Sequence, residues 1–232
     1  MALSDSKVEI HDPNGDRKIT LQTYDGMEAG SVIRMYGTHT TDPTMVQDSQ
    51  LGNGGGHIVV RDAGGNDEVT ITSNHNNTGV GRVTTPVLEI TGGADLSEQF
   101  DLGNASALIE PGMVVSIDPA NPGRLTLSEE AYDRRVAGVI SGAGGVNTGM
   151  VMGQAGSMAD GDLPVALVGR VYVWADASKA PIEPGDLLTT ADLPGHAMKV
   201  RDHTQAAGAI LGKAMTGQAE GQGLILTLVS LQ

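Results

Sequence analysis

The sequence predicts an all-β protein, and three observations support this fold class. The 232 residues include 33 glycines and 10 prolines, which punctuate short apolar segments rather than form a low-complexity tract. Within these segments apolar and polar residues alternate, as in strands with one buried face. Aromatic residues make up only 3% of the chain, so a core must consist of aliphatic side chains. Because such a thin core is stabilised more easily when identical chains share it, we expect a homo-oligomer.

The first part of the chain, residues 1–93, contains an internal repeat. The segment Lys7 to Leu21 aligns without gaps with His57 to Ile71, fifty residues later. Each copy predicts a β-hairpin with a glycine in its turn, Gly15 in one and Gly65 in the other. A hairpin with one apolar face is marginal alone, so this part is predicted to form a trimeric stem in which the faces of three chains meet. The predicted apolar positions are Val8, Ile10, Ile19, Leu21, Ile58, Val60, Val69 and Ile71.

Two further segments complete the first part. Residues Gly37 to Gly56 are rich in Gly, Asn, Thr and His, and this composition predicts a loop. The strand-like segment Val83 to Ile90 then leads to Gly92 and Gly93, which we interpret as a domain boundary.

The second part, residues 94–232, is predicted to be a duplicated β domain that registers or caps the trimer. Ile109 to Val115 matches Ile182 to Leu188, and both begin with Ile-Glu-Pro-Gly. We interpret this motif as a turn that starts a strand, in which proline fixes φ and glycine supplies a positive φ. Gly112 and Gly185 are therefore structural turn residues, and valine is predicted to cost the same at both. The later matches are Pro122-Gly123 with Pro194-Gly195, Ala137–Gly142 with Ala207–Gly212, and the closing strands Val165–Val173 with Leu224–Leu231.

One short helix is predicted, from Ser128 to Arg135. Ser128 would cap its N-terminus, and Glu129 and Glu130 would lie in its first turn. The acidic pair and the two arginines at the end of the segment are expected to form a salt-bridged solvent face rather than a substrate clamp.

The sequence contains no recognisable catalytic site, so an enzyme is not expected. No nucleophile elbow, P-loop or dinucleotide fingerprint occurs in its strand–helix setting. None of the six histidines forms a closely spaced ligand pair, and only His57 and His75 are kept as residues that could converge on a trimer axis. The turns at 12–16 and 62–67 resemble fragments of calcium loops but lack the loop length and the terminal Glu. We therefore expect Asx turns, with no cofactor and no metal.

Charge and composition argue against several classes of partner. The net charge is −14, and the 14 basic residues are scattered among 28 acidic ones, which disfavours nucleic acid. No apolar run is long enough to span a membrane, and no basic-then-apolar start predicts a secretory signal. The absence of cysteine removes disulfides and thiolate chemistry.

A series of motifs runs through about the last 140 residues. In one-letter code they are GADLSEQF, IEPG, DPANPGRL, AYDRRVAGVISGAGG, LPVALVGRVYV, IEPGDLLTT, PGHAMK and LVSLQ. This pattern resembles a bacterial and phage family usually found at the end of longer, fibre-like β proteins. It is similar in fewer respects to the intramolecular-chaperone domain of phage neck and tail appendages, which trimerises a shaft and in some members cleaves itself off. The resemblance implies a trimeric appendage, but no cleavage motif can be matched residue by residue.

These observations together predict a structural role. The expected protein is a homotrimeric short fibre, spike or cap of a virion or phage-tail-like particle, assembled from the cytoplasm without a signal peptide. Its expected partners are further copies of the chain, other particle proteins and, for a tip, a host-surface receptor. Two alternatives remain: an autoproteolytic intramolecular chaperone, and a receptor- or carbohydrate-binding tip that uses the 37–56 segment. The scarcity of aromatic residues weakens the second, because sugar faces usually stack on Trp or Tyr.

Overall fold

The computed structural model describes residues 7–24, 30–36, 43–50, 55–62, 64–73, 78–103 and 109–231. Within these ranges the chain forms strands and turns and no helix, which confirms the predicted all-β class. The chain divides into two compact units, Met1–Glu89 and Ile90–Gln232. This division lies just before the Gly92-Gly93 pair.

The first unit is a seven-stranded antiparallel sheet in which each strand pairs with the next one in the sequence. Apolar and polar residues alternate in several of its strands, as in Val8-Glu9-Ile10 and Val69-Thr70-Ile71, so these strands have two faces of different character. The strands are β1 (Lys7–His11), β2 (Arg17–Tyr24), β3 (Gly30–Tyr36), β4 (Pro43–Gln50), β5 (Gly55–Arg61), β6 (Asp67–Thr72) and β7 (Arg82–Thr84).

Two sequence predictions for the first unit are wrong in part. The 37–56 segment is not one loop, because β4 and the start of β5 lie inside it; residues 37–42 and 51–54 lie outside the described ranges. The polar composition of the segment hides the Met45-Val46 pair, which β4 places between two neighbouring strands. The predicted strand from Val83 to Ile90 is short, since β7 ends at Thr84. Pro86 follows and cannot donate a backbone hydrogen bond to a continued ladder.

The second unit contains ten strands. The longest is the fourteen-residue β13, which runs through the middle of the unit and pairs along its length with several partners. The strands are β8 (Asp95–Phe100), β9 (Val114–Ile117), β10 (Leu125–Leu127), β11 (Val136–Ile140), β12 (Met150–Met152), β13 (Leu163–Asp176), β14 (Leu187–Thr190), β15 (Ala197–Lys199), β16 (Ile210–Ala214) and β17 (Gln222–Ser230).

These strands form two small closed barrels that share β13. The first barrel runs β8-β13-β11-β9-β10 and closes through a bridge between Leu102 and Leu125. The second barrel runs β13-β15-β14-β16-β17 and closes because β17 also pairs with β13. In each barrel the strand that comes first in the sequence therefore pairs with the one that comes last. Three further strands complete the ring, and the first of the three pairs with both of the others. The short strand β12 lies outside both rings, parallel to β8.

Each barrel has its own apolar cluster. Val115, Leu125 and Val165 are buried in the first. Adjacent residues on the same strands, Val114 and Ala166, belong to the larger cluster of the second barrel. Because successive side chains on a strand point to opposite faces, the wall of the first barrel contributes to both clusters.

One glycine has the same register position in the two barrels. In the first barrel Gly138 of β11 pairs with Val115, and in the second Gly212 of β16 pairs with Leu188. A β-bulge precedes the glycine in both strands. The sequence repeat pairs Gly138 with Gly208, but Gly208 lies in the turn before β16. The Ala137-Gly138 and Ala207-Gly208 dipeptides are not equivalent, because the connection from β15 to β16 is longer than the one from β10 to β11.

The predicted helix from Ser128 to Arg135 is wrong. Ser128 is buried and tied to neighbouring backbone, donating to Val114 O and accepting from Gly195 N, so it caps no helix. The following residues form turns in which Asp133 accepts from the backbone and side chain of Arg135. The expected arginine–glutamate pairing does occur, between Arg135 and Glu130 at 3.1 Å.

A polar clamp joins this turn region to the 200–205 segment of the second unit. Tyr132 has a φ of +57°, and its hydroxyl accepts hydrogen bonds from the backbone N–H groups of Arg201 and Asp202. The Asp202 carboxylate in turn accepts from Gln205 and Thr204, and these bonds lower its pKa to about 2.

The clamp predicts a pH dependence of stability. The pKa of Asp202 is lower in the folded chain than its ordinary value of 3.8. The ionised carboxylate therefore stabilises the fold fully above about pH 4, and this stabilisation is lost as the pH falls through 2. We expect Asp202→Asn to lower the melting temperature most at neutral pH, and the gap from the wild type to narrow between pH 4 and pH 2. Thermal melts across this range measure the gap, and a gap that stays constant or widens at low pH would contradict the assignment.

Candidate self-association surface

The two hairpins predicted from the repeat have the same geometry in the first unit. Val8 pairs with Leu21 across β1 and β2, and Ile58 pairs with Ile71 across β5 and β6. A bulge follows at Ile10/His11 in one hairpin and at Val60/Arg61 in the other. This register places the predicted apolar positions of both hairpins on one face of the sheet.

Asx turns close both hairpins, as the sequence led us to expect. Asp12 Oδ1 accepts from the N–H groups of Asn14 and Asp16, and Asp62 Oδ1 accepts from those of Gly64 and Asn66. The side chain of Asn66 also donates to Asp62, and together these bonds hold the pKa of Asp62 below its usual value. The bonds occupy the carboxylates within the turns themselves.

The turn glycines identified in the sequence lie at positive φ but do not form one site. Gly15 and Gly65 have φ values of +86° and +87° in the two hairpin turns of the first unit. Gly112 and Gly185 have φ values of +93° and +96° in the turns that precede β9 and β14 in the second unit. Each of these glycines shapes a local turn.

One face of the seven-stranded sheet carries two continuous rows of apolar residues, which we call the apolar stripe. Residues that pair across neighbouring strands lie on the same face, so each row follows directly from the strand registers. One row contains Val8, Leu21, Ile33, Gln47, Ile58, Ile71 and Val83, and the other contains Ile10, Ile19, Met35, Met45, Val60 and Val69. Every residue in the two rows except Gln47 is apolar.

Much of the apolar stripe is exposed in the single chain, although Ile19, Ile33, Met45, Ile58 and Val69 are half-buried. Val8 is 57% exposed, Ile71 is 44% exposed and Met35, near the middle of the sheet, is 40% exposed. Ile10, Leu21, Val60 and Val83 are also exposed. Large contiguous apolar patches are uncommon on monomeric soluble proteins and typically mark an interaction site.

The opposite face of the sheet is polar, with a small buried cluster. Lys7 and Arg17 both contact Glu9, at 2.7 and 3.0 Å, and they hold the pKa of Glu9 below its usual value. Val32, Val46 and Val59 are buried on this face together with Thr20. The most deeply buried apolar side chains of the first unit are therefore not those of the face that the sequence pattern had marked as apolar.

The stripe is longer than the hairpin repeat predicts. The hairpin repeat identified its two ends, but Ile33, Met35 and Met45 in the middle of the sheet were missed. Their signal was present, since Ile33 and Met35 alternate with polar Arg34. These three residues make the two hairpin faces into a single surface.

The remaining sequence candidates contribute no second site. His57 lies on the polar face of β5, opposite Thr72 and Asp48, and His75 lies outside the described residues. No group of three or more metal-ligating side chains occurs in the part of the chain that the structure describes. A groove of about 200 Å³ on the second barrel offers mainly apolar contact, with Lys213 as its charged group. The groove is lined by Leu187, Ile210, Gly212, Lys213, Leu228 and Ser230.

Comparison with known proteins identifies no relative. No protein-family model, curated protein or solved structure matches the chain. Among the described residues no helix is long and apolar enough to cross a membrane.

Proposed function

We propose that the chain is a structural component that works as a homotrimer, as a short fibre, spike or cap of a virion or phage-tail-like particle. The observation that carries this proposal is the apolar stripe. Burying it against further copies of the chain removes a large apolar area from water, which is the dominant favourable term in association. The particle assignment itself draws on the resemblance of residues 93–232 to the ends of fibre-like phage and bacterial proteins.

The stripe favours self-association over a catalytic role. The stripe is built from branched and unbranched aliphatic side chains, with no ionisable group among its members. Such a surface supplies contact area but no acid, base, nucleophile or metal ligand. The charged residues of the same strands, such as Lys7, Glu9 and Arg34, lie on the opposite face, where they keep that surface solvated.

Native mass and particle location test the two parts of the proposal. Sedimentation equilibrium of the full chain should give about 72 kDa, three times the chain mass of 23.9 kDa. The assembly should persist in high salt, because its contacts are apolar. Immunogold labelling should find the chain on particles released by the producing cells. A 24 kDa species would overturn the oligomer, and particles without label would overturn the location.

A further inference from the structure

We propose that three copies of the first unit pack their apolar stripes around a threefold axis that runs across the strands, so that the stem is a three-sided prism. This inference rests on the proposed homotrimer and specifies the surface and geometry through which the copies meet. Each sheet forms one side of the prism. The stripes face the axis, and the polar faces with Lys7, Glu9 and Arg34 face solvent.

The size of the stripe fits an interface between copies. Seven strands about 4.8 Å apart give a surface about 29 Å long, and strands five residues wide make its projected area roughly 500 Å². The side chains stand out from this plane and increase the accessible area. The contact is then comparable with the area of about 800 Å² per partner in a standard specific interface.

The width of the sheet selects three copies rather than a larger ring. Sheets packed face to face lie about 10 Å apart, so each stands about 5 Å from the centre of a filled core. Three flat sides at that distance from an axis must each be about 17 Å wide, which is about five residues of strand. The first and fifth strands pair with their hairpin partners over five residues, Lys7–His11 and His57–Arg61. A larger ring with sides of this width would leave an unfilled centre.

The two-row pattern of the stripe fits the same cross-section. At each level of the prism, one strand from each chain would direct two side chains towards the axis. Beyond the rows the backbone register pairs Thr23 with Ser31 and Gly56 with Ser49. These positions would lie at the corners of the prism, where the sides meet and water has access. Charged side chains remain outside, so association leaves no charge unpaired in the core.

A crosslinking experiment tests the prism. Because the chain has no native cysteine, an introduced thiol is the only one that can react. Ile71 lies in the stripe, and its neighbour Thr70 lies on the opposite face of β6. Ile71→Cys and Thr70→Cys variants of the full chain each carry a single thiol and are treated with a short-armed tris-maleimide. Denaturing gels should show three-chain products for Ile71→Cys and none for Thr70→Cys.

The other outcomes separate this inference from the proposed function. Two-chain products alone from Ile71→Cys would indicate paired sheets and overturn the prism. No product from Ile71→Cys, with a wild type of trimeric mass, would overturn the prism and leave the homotrimer standing. A monomeric wild type would overturn both.

A charge substitution gives an independent measurement. Leu21 lies in the stripe and is 42% exposed, so glutamate there is compatible with the folded single chain. We expect Leu21→Glu to reduce the native mass from three chains to one, with unchanged far-ultraviolet circular dichroism. The matched control is Gln22→Glu on the opposite face of β2, which keeps an acceptor for Arg34 and should remain trimeric. Trimeric Leu21→Glu would contradict the proposal.

Discussion

Alanine at Gly212 is expected to lower the free energy of unfolding of the second unit by a large amount. Gly212 lies in β16 at φ +158°, and an added Cβ would overlap the carbonyl oxygen of Leu228 on the neighbouring strand β17. The three nearest atoms are all backbone atoms of β17, so no side-chain movement can make room. We expect the free energy of unfolding to fall by at least about 4 kcal/mol, a loss so large that it points to one specific structural cause.

The equivalent glycine of the first barrel is expected to respond in the same way. An added Cβ at Gly138 would crowd the carbonyl of Ala166. The controls are Gly145→Ala and Gly221→Ala, which also have positive φ but meet nothing within 4 Å. The free energy of unfolding of each control should fall by only about 1 to 2 kcal/mol. Chemical denaturation of the four variants gives the free energies of unfolding, and a Gly212→Ala loss no larger than that of the controls would refute the bulge assignment.

Valine at Gly112 is expected to cost more than valine at Gly185, although both follow Ile-Glu-Pro. The sequence predicted equal costs because both glycines occupy the same turn. The surroundings differ: a Cβ at Gly112 would lie 3.0 Å from Leu224 Cδ2 and 3.2 Å from Trp174 Cδ1, whereas nothing lies within 4 Å at Gly185. We expect valine to lower the free energy of unfolding by about 4 kcal/mol at Gly112, because of backbone strain and overpacking. At Gly185 the expected decrease is about 2 kcal/mol, from backbone strain alone.

Denaturant melts of Gly112→Val and Gly185→Val measure this difference directly. Gly112→Ala serves as a smaller step at the crowded position and should be intermediate between the wild type and valine. Equal losses at the two positions would mean that the turn conformation alone determines the cost, and would contradict the crowding at Gly112.

Alternation of apolar and polar residues predicted strands reliably in this sequence, whereas the composition of a single segment did not. The hairpins around Gly15 and Gly65 could be predicted because apolar residues repeat at every second position and an Asx turn separates the strands. The strand Pro43–Gln50 was missed because its Gly- and Asn-rich flanks resemble a loop. The Ser128–Arg135 segment has good helix-capping residues, but buried hydrogen bonds to neighbouring strands stabilise turns instead. Local propensity was overridden by tertiary contacts in this segment.

The candidate surface could be recognised only in outline from the sequence. The pattern identified eight apolar positions of the hairpins, and the structure places all eight on one face. It could not show that β3 and β4 join the hairpins into one sheet, because strand order depends on pairing between segments. It also could not show that Val59, between Ile58 and Val60, would be buried on the polar side.

The shared strand β13 has a consequence for how the second unit responds to stress. Its first half closes one barrel and its second half closes the other, with Val165 in one cluster and Ala166 in the next. Neither barrel can lose this strand without opening its neighbour, so partial unfolding confined to one barrel is penalised. The two barrels therefore form one cooperative unit, which restricts the partly open states that proteases and aggregation exploit.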